Sequence, residues 1–394
     1  MTNANSYHPK IYFPGLNALR FFAASLVVIH HAETIRLKFD MPNLKYLSIF
    51  NNGMLAVSFF FVLSGFLITF LLMSEIERTE TVSIRHFYVR RVLRIWPLYY
   101  LLVIIGLFII PTFLGIIGYD YKMPYDTTTA GFLFLFFLSF VVNTLFGSHL
   151  LEPLWSIGVE EFFYLIWAPL AKFSKNKILN ALIFVFILKT LLNIFFTQNT
   201  EGAYFNFTKE IVSSLKFELM SIGGIGAWFV ARKRAVVEAH WLFSLPAQIV
   251  LLAVILLRLF FHNSLINNDL YQIFFNTSII SGIVEGLLFL WLILNVSVNP
   301  KTITRLQNRW LDFLGEISYG IYMYQMLVIF ASVLVLKKIL IASTPSPLFA
   351  AFPSSTVSTL IFYVFISVAI ISISWFSKRF FEDWFLKLKD RFDF

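Results

Sequence analysis

The chain has 394 residues, of which 58% are hydrophobic and 13% charged, which is too apolar for a soluble domain that must cover its core with polar surface. It contains no cysteine, which excludes disulfides, thiolate metal sites and a cysteine-bound acyl intermediate, so any acyl chemistry must use another group. The net charge of +9 lies mostly in loops beside hydrophobic segments, where it sets orientation in a membrane and does not mark a nucleic-acid surface.

The expected fold is therefore an all-α polytopic membrane protein, one domain over 1–394. Apolar runs long enough to cross about 30 Å of hydrocarbon lie near 15–34, 54–74, 95–117, 129–147, 178–197, 209–230, 243–262, 272–295, 314–336 and 357–377. Residues 1–10 are polar and no small-residue cleavage site follows the first run, so that run is expected to be retained. Pro14 has its φ preset for a first helical turn, and the helix is predicted from there to about Thr34. It carries Arg20, His30 and His31. Eleven residues turn a helix by about 1100°, which puts Arg20 and His31 about 20° apart on one face and roughly 16 Å apart along the axis. His30 points elsewhere. Such a face can hold an anionic group at one end of a cavity and a reacting group at the other; a snorkelling arginine and a hydrogen-bonded core histidine are the plainer alternative.

The second run contains Ser64-Gly65, a small pair suited to close helix approach. After it come Arg90, Arg91 and Arg94 ahead of Trp96-Pro97. Arg91 and Arg94 are i,i+3 neighbours, a pair that can bind phosphate or simply anchor the helix at a headgroup surface. The stretch Trp155 to Leu170 is apolar but short and carries Glu160 and Glu161. Adjacent carboxylates cannot share a helix face, so one is expected to meet a basic group such as Arg20 or His31 and the other a second partner.

Basic residues cluster at Arg78–Arg94, Lys172–Lys177, Arg232–Arg234, Lys301–Arg309 and Lys378–Arg391. All can be cytoplasmic together only if an even number of crossings separates each from the next. Between Arg94 and Lys172 that leaves two crossings. The segment near 155–170 is accordingly expected to be re-entrant or partly inserted, giving about ten transmembrane helices with both termini cytoplasmic. Lys189, Lys216, Glu218, Arg258 and Glu285 are further charges within apolar runs, with Lys216 and Glu218 expected to pair beside the glycines at 223, 224 and 226. Near the end, Gly315-Glu316-Ile317-Ser318-Tyr319-Gly320-Ile321-Tyr322 places Tyr319 and Tyr322 where they can either line a sugar site or pack with satisfied hydroxyls. No metal-ligand cluster or phosphate-binding glycine loop is present in the sequence.

In order along the chain, five motifs resemble those of the acyltransferase-3 family of membrane acyltransferases. These are Arg20-x10-His31, the aromatic Ser-Gly run Phe59–Ile68, Arg91-x-x-Arg94, Trp155–Tyr164 with its Glu160-Glu161, and Gly315–Tyr322. The resemblance implies a multi-pass protein of the bacterial cytoplasmic membrane. It would move an acyl group, acetyl being the expected one, from cytoplasmic acetyl-CoA or another acyl-CoA to a hydroxyl of a cell-surface carbohydrate or lipid-linked glycan. Arg20, Arg91 and Arg94 would then hold the CoA and His31 would act as general base, assisted by Glu160 or Glu161. Trp155, Tyr319 and Tyr322 would bind the acceptor, and no metal is expected. Three departures stand out: Gln325 where members often have histidine, Phe162 in place of glutamine, and Glu382-Asp383-Trp384 in place of Glu-Arg-Pro. The rival class is a transporter or flippase using the same buried charges; those proteins usually show two matching halves, and the Arg20–His31 pattern does not recur in the second half.

Overall fold

The structure, a computed structural model, describes residues 13–198, 202–276, 278–342 and 356–389. Among these, every regular element is a helix. The N-terminal half comprises α1 (Leu16–Lys38), α2 (Gly53–Thr79), α3 (Ile84–Ile104) running through a π turn into α4 (Ile110–Ile116), α5 (Thr127–Leu135), α6 (Ser139–Phe146) and α7 (Leu154–Ser174). The rest comprises α8 (Ile178–Gln198), α9 (Ala203–Ser214), α10 (Phe217–Glu238), α11 (Leu245–Leu265), α12 (Asp269–Phe275), α13 (Ser278–Ser297), α14 (Arg309–Glu316), α15 (Ser318–Ala342), α16 (Thr356–Ser377) and α17 (Asp383–Lys389). The protein is thus an all-α polytopic membrane protein. The two termini, expected on the cytoplasmic side, lie outside the described residues.

Among the described residues, eight helices or continuous helix pairs are long and apolar enough to cross a membrane, against the ten runs read from the sequence. The run 129–147 drops out because it is broken. The carboxylate of Asp126 caps α5 by accepting from the Thr129 amide at 2.7 Å, and Phe137, at φ 59°, turns the chain before α6. Each piece is only about 12–14 Å long by helix rise. The ring of Tyr125, just before α5, lies 5.2 Å from that of His149, just after α6, so the segment leaves by the end it entered. Here, and not at 155–170, is the dip. The glutamate-bearing α7 has 21 residues, about 31 Å, long enough to cross by itself before the chain turns at Lys175, φ 31°, into α8. The two crossings that the charge pattern requires between Arg94 and Lys172 remain, but α7 supplies one of them. The run 209–230 drops out because Leu215 is extended and splits it into α9 and α10, the latter carrying Glu218 at one end and Arg232–Arg234 at the other.

Small residues decide how the bundle closes. In lipid, apolar burial gives helices little reason to associate, so close van der Waals packing does the work. A Cβ on Gly65 of α2 would land on the Met220 carbonyl, and one on Gly223 of α10 would land on the Val62 carbonyl. The two helices therefore touch backbone to backbone, as both sequence motifs led one to expect. Gly15 precedes α1 at φ 73°, so the helix begins at Leu16 rather than at Pro14. Large side chains turn outward, with Ile116 78% and Phe173 83% exposed, the pattern of a surface that meets lipid.

α1 and α2 run antiparallel: Phe13 stacks edge-on to Phe66 and Phe70, while at the opposite end Gly53 abuts the His30 ring. The Phe13 end also gathers the Arg90–Glu75 and Arg232–Glu77 pairs, at 3.2 and 3.6 Å. The Lys38 end gathers the Lys38–Ser148 hydrogen bond, 2.5 Å. Away from the Phe13 end, several charges inside the bundle are paired, as a medium without water favours. Glu33 binds Arg36 at 2.8 Å and Arg258 binds Glu285 at 3.2 Å. Glu218 pairs with Lys189 of α8 at 3.5 Å and not with Lys216, because residues two apart project from opposite sides of a helix.

Candidate functional site

One cavity of about 340 Å³ opens at the Phe13 end, walled by α1, α2, α3, α7 and the α14–α15 junction. It lies at the lower end of the roughly 300–1,000 Å³ typical of ligand pockets. Helical spacing delivers its polar groups: Asn17 and Arg20 at i,i+3 on α1, Arg91 and Arg94 at i,i+3 on α3, Glu160 and Tyr164 at i,i+4 on α7, and Tyr319 and Tyr322 at i,i+3 on α15. Gly315 is what lets this last junction approach, since a Cβ there would strike the backbone of Asn17.

Three guanidiniums therefore share the cavity with the carboxylates of Glu160 and Glu316, and Glu160 faces Arg20 and Arg91. Among the described residues, none of the three arginines makes an ion pair, whereas their neighbour Arg90 does. Arg91 sits over the rings of Phe87 and Tyr164, 5.8 and 6.0 Å from their centroids, and its buried Nε has no hydrogen-bond partner. Arg94 and Glu316 are exposed at the mouth. Crowding like charges in a poorly hydrated space is costly unless an anion neutralises them, and planar guanidiniums suit phosphate oxygens.

The carboxylates separate as their spacing requires. Glu160 accepts from the Tyr164 hydroxyl at 2.9 Å, and that hydroxyl also meets Ser64 Oγ. Glu161 turns away and accepts from Trp96 Nε1 at 3.1 Å, its other oxygen being buried and unpartnered. Tyr319 donates to the Ile95 carbonyl and Tyr322 to that of Pro153, both at 3.0 Å, while Tyr322 also meets Ser156 Oγ at 2.7 Å. Both tyrosines thus line the cavity with hydroxyls already engaged, leaving ring edges and faces to a ligand.

Arg20, Arg91, Arg94, Glu160, Tyr319 and Tyr322 are brought together; Trp155, Glu161 and His31 are not. Trp155 packs edge-on to Phe61, 5.7 Å between ring centroids. His31 shares a face of α1 with Arg20 but not a cavity, because the rings of Phe60 and Tyr322, 5.9 Å apart, close the cavity's inner end. Beyond them His31 lies beside Gln325, with its Nδ1 buried and unpartnered. His30 instead engages the Phe50 carbonyl through Nδ1 at 3.1 Å. Sequence reasoning missed Asn17 and Tyr164, which i,i+3 and i,i+4 spacing from Arg20 and Glu160 would have found. It also read Ser64 as packing, whereas only Gly65 packs and Ser64 faces the cavity.

Fold and site define a polytopic helical membrane protein with an arginine-lined cavity at one end and a half-buried histidine toward the other. The chain belongs to the acyltransferase-3 family, matching its acyltransferase domain over residues 13–379. It is similar to YrhL of Bacillus subtilis (strain 168), 33% identical over 165 residues, covering 40% of this chain and 23% of that protein. It is also similar to the O-acetyltransferase OatA of Staphylococcus aureus (strain NCTC 8325 / PS 47), 33% identical over 215 residues, covering 50% of this chain and 32% of that protein. A third relative is the peptidoglycan O-acetyltransferase OatA of Listeria monocytogenes, 28% identical over 171 residues, covering 42% of this chain and 25% of that protein. The matches span a third or less of each of these relatives. No solved structure matches the chain. The transporter reading finds no support in these relatives.

Proposed function

We propose that this chain is a membrane O-acetyltransferase that takes acetyl from acetyl-CoA at the Phe13 end, the cytoplasmic side, and delivers it to a hydroxyl of peptidoglycan or another surface carbohydrate. The observation that carries the reading is the cavity in which Arg20, Arg91 and Arg94 stand without ion pairs. Acyl-CoA is a polyanion with a long neutral arm: its phosphates suit the arginines near the mouth, and its arm suits the apolar walls formed by Leu63, Leu67 and Ile68. Family membership supports acyl transfer, and the acetyltransferase names of the relatives support acetyl and, for YrhL and the Listeria OatA, a peptidoglycan acceptor.

In the step proposed, the acceptor oxygen attacks the thioester carbonyl carbon, a C–O bond forms and the C–S bond breaks. His31 takes the hydroxyl proton and gives it to the departing thiolate, which leaves as free CoA. Glu160, held by Tyr164, balances the arginines and keeps them oriented; Glu161 holds Trp96 and so acts at one remove. Purified protein supplied with acetyl-labelled acetyl-CoA and peptidoglycan fragments should yield labelled, alkali-sensitive esters. Label recovered only as free acetate, or none released, refutes the assignment.

A further inference from the structure

Three buried polar atoms beyond the inner wall of the arginine cavity have no hydrogen-bond partner: His31 Nδ1, Gln325 Oε1 and Gln325 Nε2. Gln325 is fully buried, at 0% exposure, and stands beside His31, yet the two side chains do not form a hydrogen bond of acceptable geometry. An unmade hydrogen bond on a buried polar group typically costs about 1–3 kcal/mol. Most buried polar side chains in this protein avoid that cost: Gln248, also buried, donates to the Phe243 and Lys301 carbonyls and accepts from the Ile303 amide. Three unmatched atoms side by side therefore mark a place that is completed by something else.

Its position is fixed by three helices. On α1, His31 lies eleven residues from Arg20; on α2, Gly53 abuts His30 and Phe60 lies about 10 Å nearer the cavity; on α15, Gln325 follows Tyr322 by one turn on nearly the same face. The Phe60–Tyr322 contact thus stands between this place and the arginines. His31 keeps partial exposure although its Nδ1 is covered, and Lys38, on the same face of α1 toward the far end, is exposed.

We propose that His31 and Gln325 form a second site, separate from the arginine cavity, that takes a sugar hydroxyl. The inference rests on the acetyltransfer reading and adds where the acceptor binds. The chemistry is specific to a neutral hydroxyl. Gln325 offers both an N–H donor and a carbonyl acceptor, and an unpartnered Nδ1 on His31 can accept the hydroxyl proton, so a group that gives one hydrogen bond and receives another is satisfied. Neither residue brings a fixed charge to hold a phosphate or carboxylate. Tyr322 and Phe60 are then the partition that the thioester end of the donor passes to meet the acceptor hydroxyl, which requires the Tyr322 hydroxyl to leave its Ser156 and Pro153 partners.

The test is Gln325→Leu, which keeps the volume and removes the amide. Four quantities are compared with the unmodified protein: melting temperature without ligand, acetyl-CoA affinity, the KM for a soluble muropeptide acceptor, and the rise in melting temperature that this muropeptide causes in the absence of donor. The site predicts an unchanged or higher melting temperature, acetyl-CoA affinity within about twofold, a muropeptide KM raised about tenfold, and a lost donor-free shift. A lower melting temperature with weaker acetyl-CoA binding would make Gln325 a structural residue and overturn the proposal, as would an unaltered KM. If the unmodified protein transfers no acetyl at all, the enzymatic reading fails by itself. The donor-free shift then decides the site: present in the unmodified protein and lost in the variant, it supports a glycan site; absent from both, it refutes one.

Discussion

Arg90 and Arg91 are neighbours in sequence, yet the structure assigns their alanine variants opposite defects. Arg91 lines the cavity with a free guanidinium; Arg90 binds Glu75 at 3.2 Å, with the two side chains 14% and 5% exposed. If the proposed donor site is right, Arg91→Ala removes a charged phosphate partner, a hydrogen bond worth about 1.5–3 kcal/mol, so acetyl-CoA affinity should fall about ten- to a hundredfold. Stability should change little, because the residue has no ion pair to lose. Arg90→Ala leaves the Glu75 carboxylate buried with the Ser83 amide, 2.7 Å away, as a remaining donor. Breaking such a pair typically costs about 3–5 kcal/mol, and the remaining donor argues for the low end, about 3 kcal/mol. Its acetyl-CoA affinity, measured on the fraction that folds, should be unchanged. Calorimetric titration with acetyl-CoA and thermal melts in one detergent separate the two. Undiminished binding in Arg91→Ala, or lost binding without lost stability in Arg90→Ala, would refute the division of labour between them.

Three further outcomes follow from the same geometry. His31→Ala should lower turnover about 10²–10⁴-fold with acetyl-CoA affinity intact, while His30→Ala, which loses its tie to Phe50 and its ring contacts with His31 and Gly53, should keep most activity; kinetics of both variants check this. Gly65→Val should fail to give stable monodisperse protein on size-exclusion chromatography, since its side chain would meet the Met220 backbone, which cannot yield as a side chain tip can. Cysteines placed at Ser148 and at Asn176, both exposed, should be labelled by an impermeant maleimide from opposite sides of sealed vesicles, because α7 separates them; same-sided labelling would restore the dip to 155–170.

The sequence alone carried the membrane class, the family resemblance and most of the cavity. Charge in an apolar run is costly enough to be conspicuous, and a 100° repeat then says which charges of one helix share a face, so Arg91 could be set beside Arg94; it was the family resemblance that implied one site for Arg20, Arg91 and Arg94. The separation of Glu160 from Glu161 followed from the same arithmetic, and glycine marked Gly65 and the 223–226 stretch as places of close helix approach without saying that they meet each other. Periodicity, however, describes one helix at a time. Whether 129–147 crosses or turns back depended on Phe137 adopting φ 59° and on Tyr125 meeting His149 across 24 residues, neither of which leaves a mark in hydropathy. The pairing of Glu218 with Lys189 and the placing of His31 behind Phe60 and Tyr322 are likewise contacts between different helices. Facing is a property of a helix and legible in its repeat; what stands between two groups on one face is supplied by the neighbours, and only tertiary packing decides it.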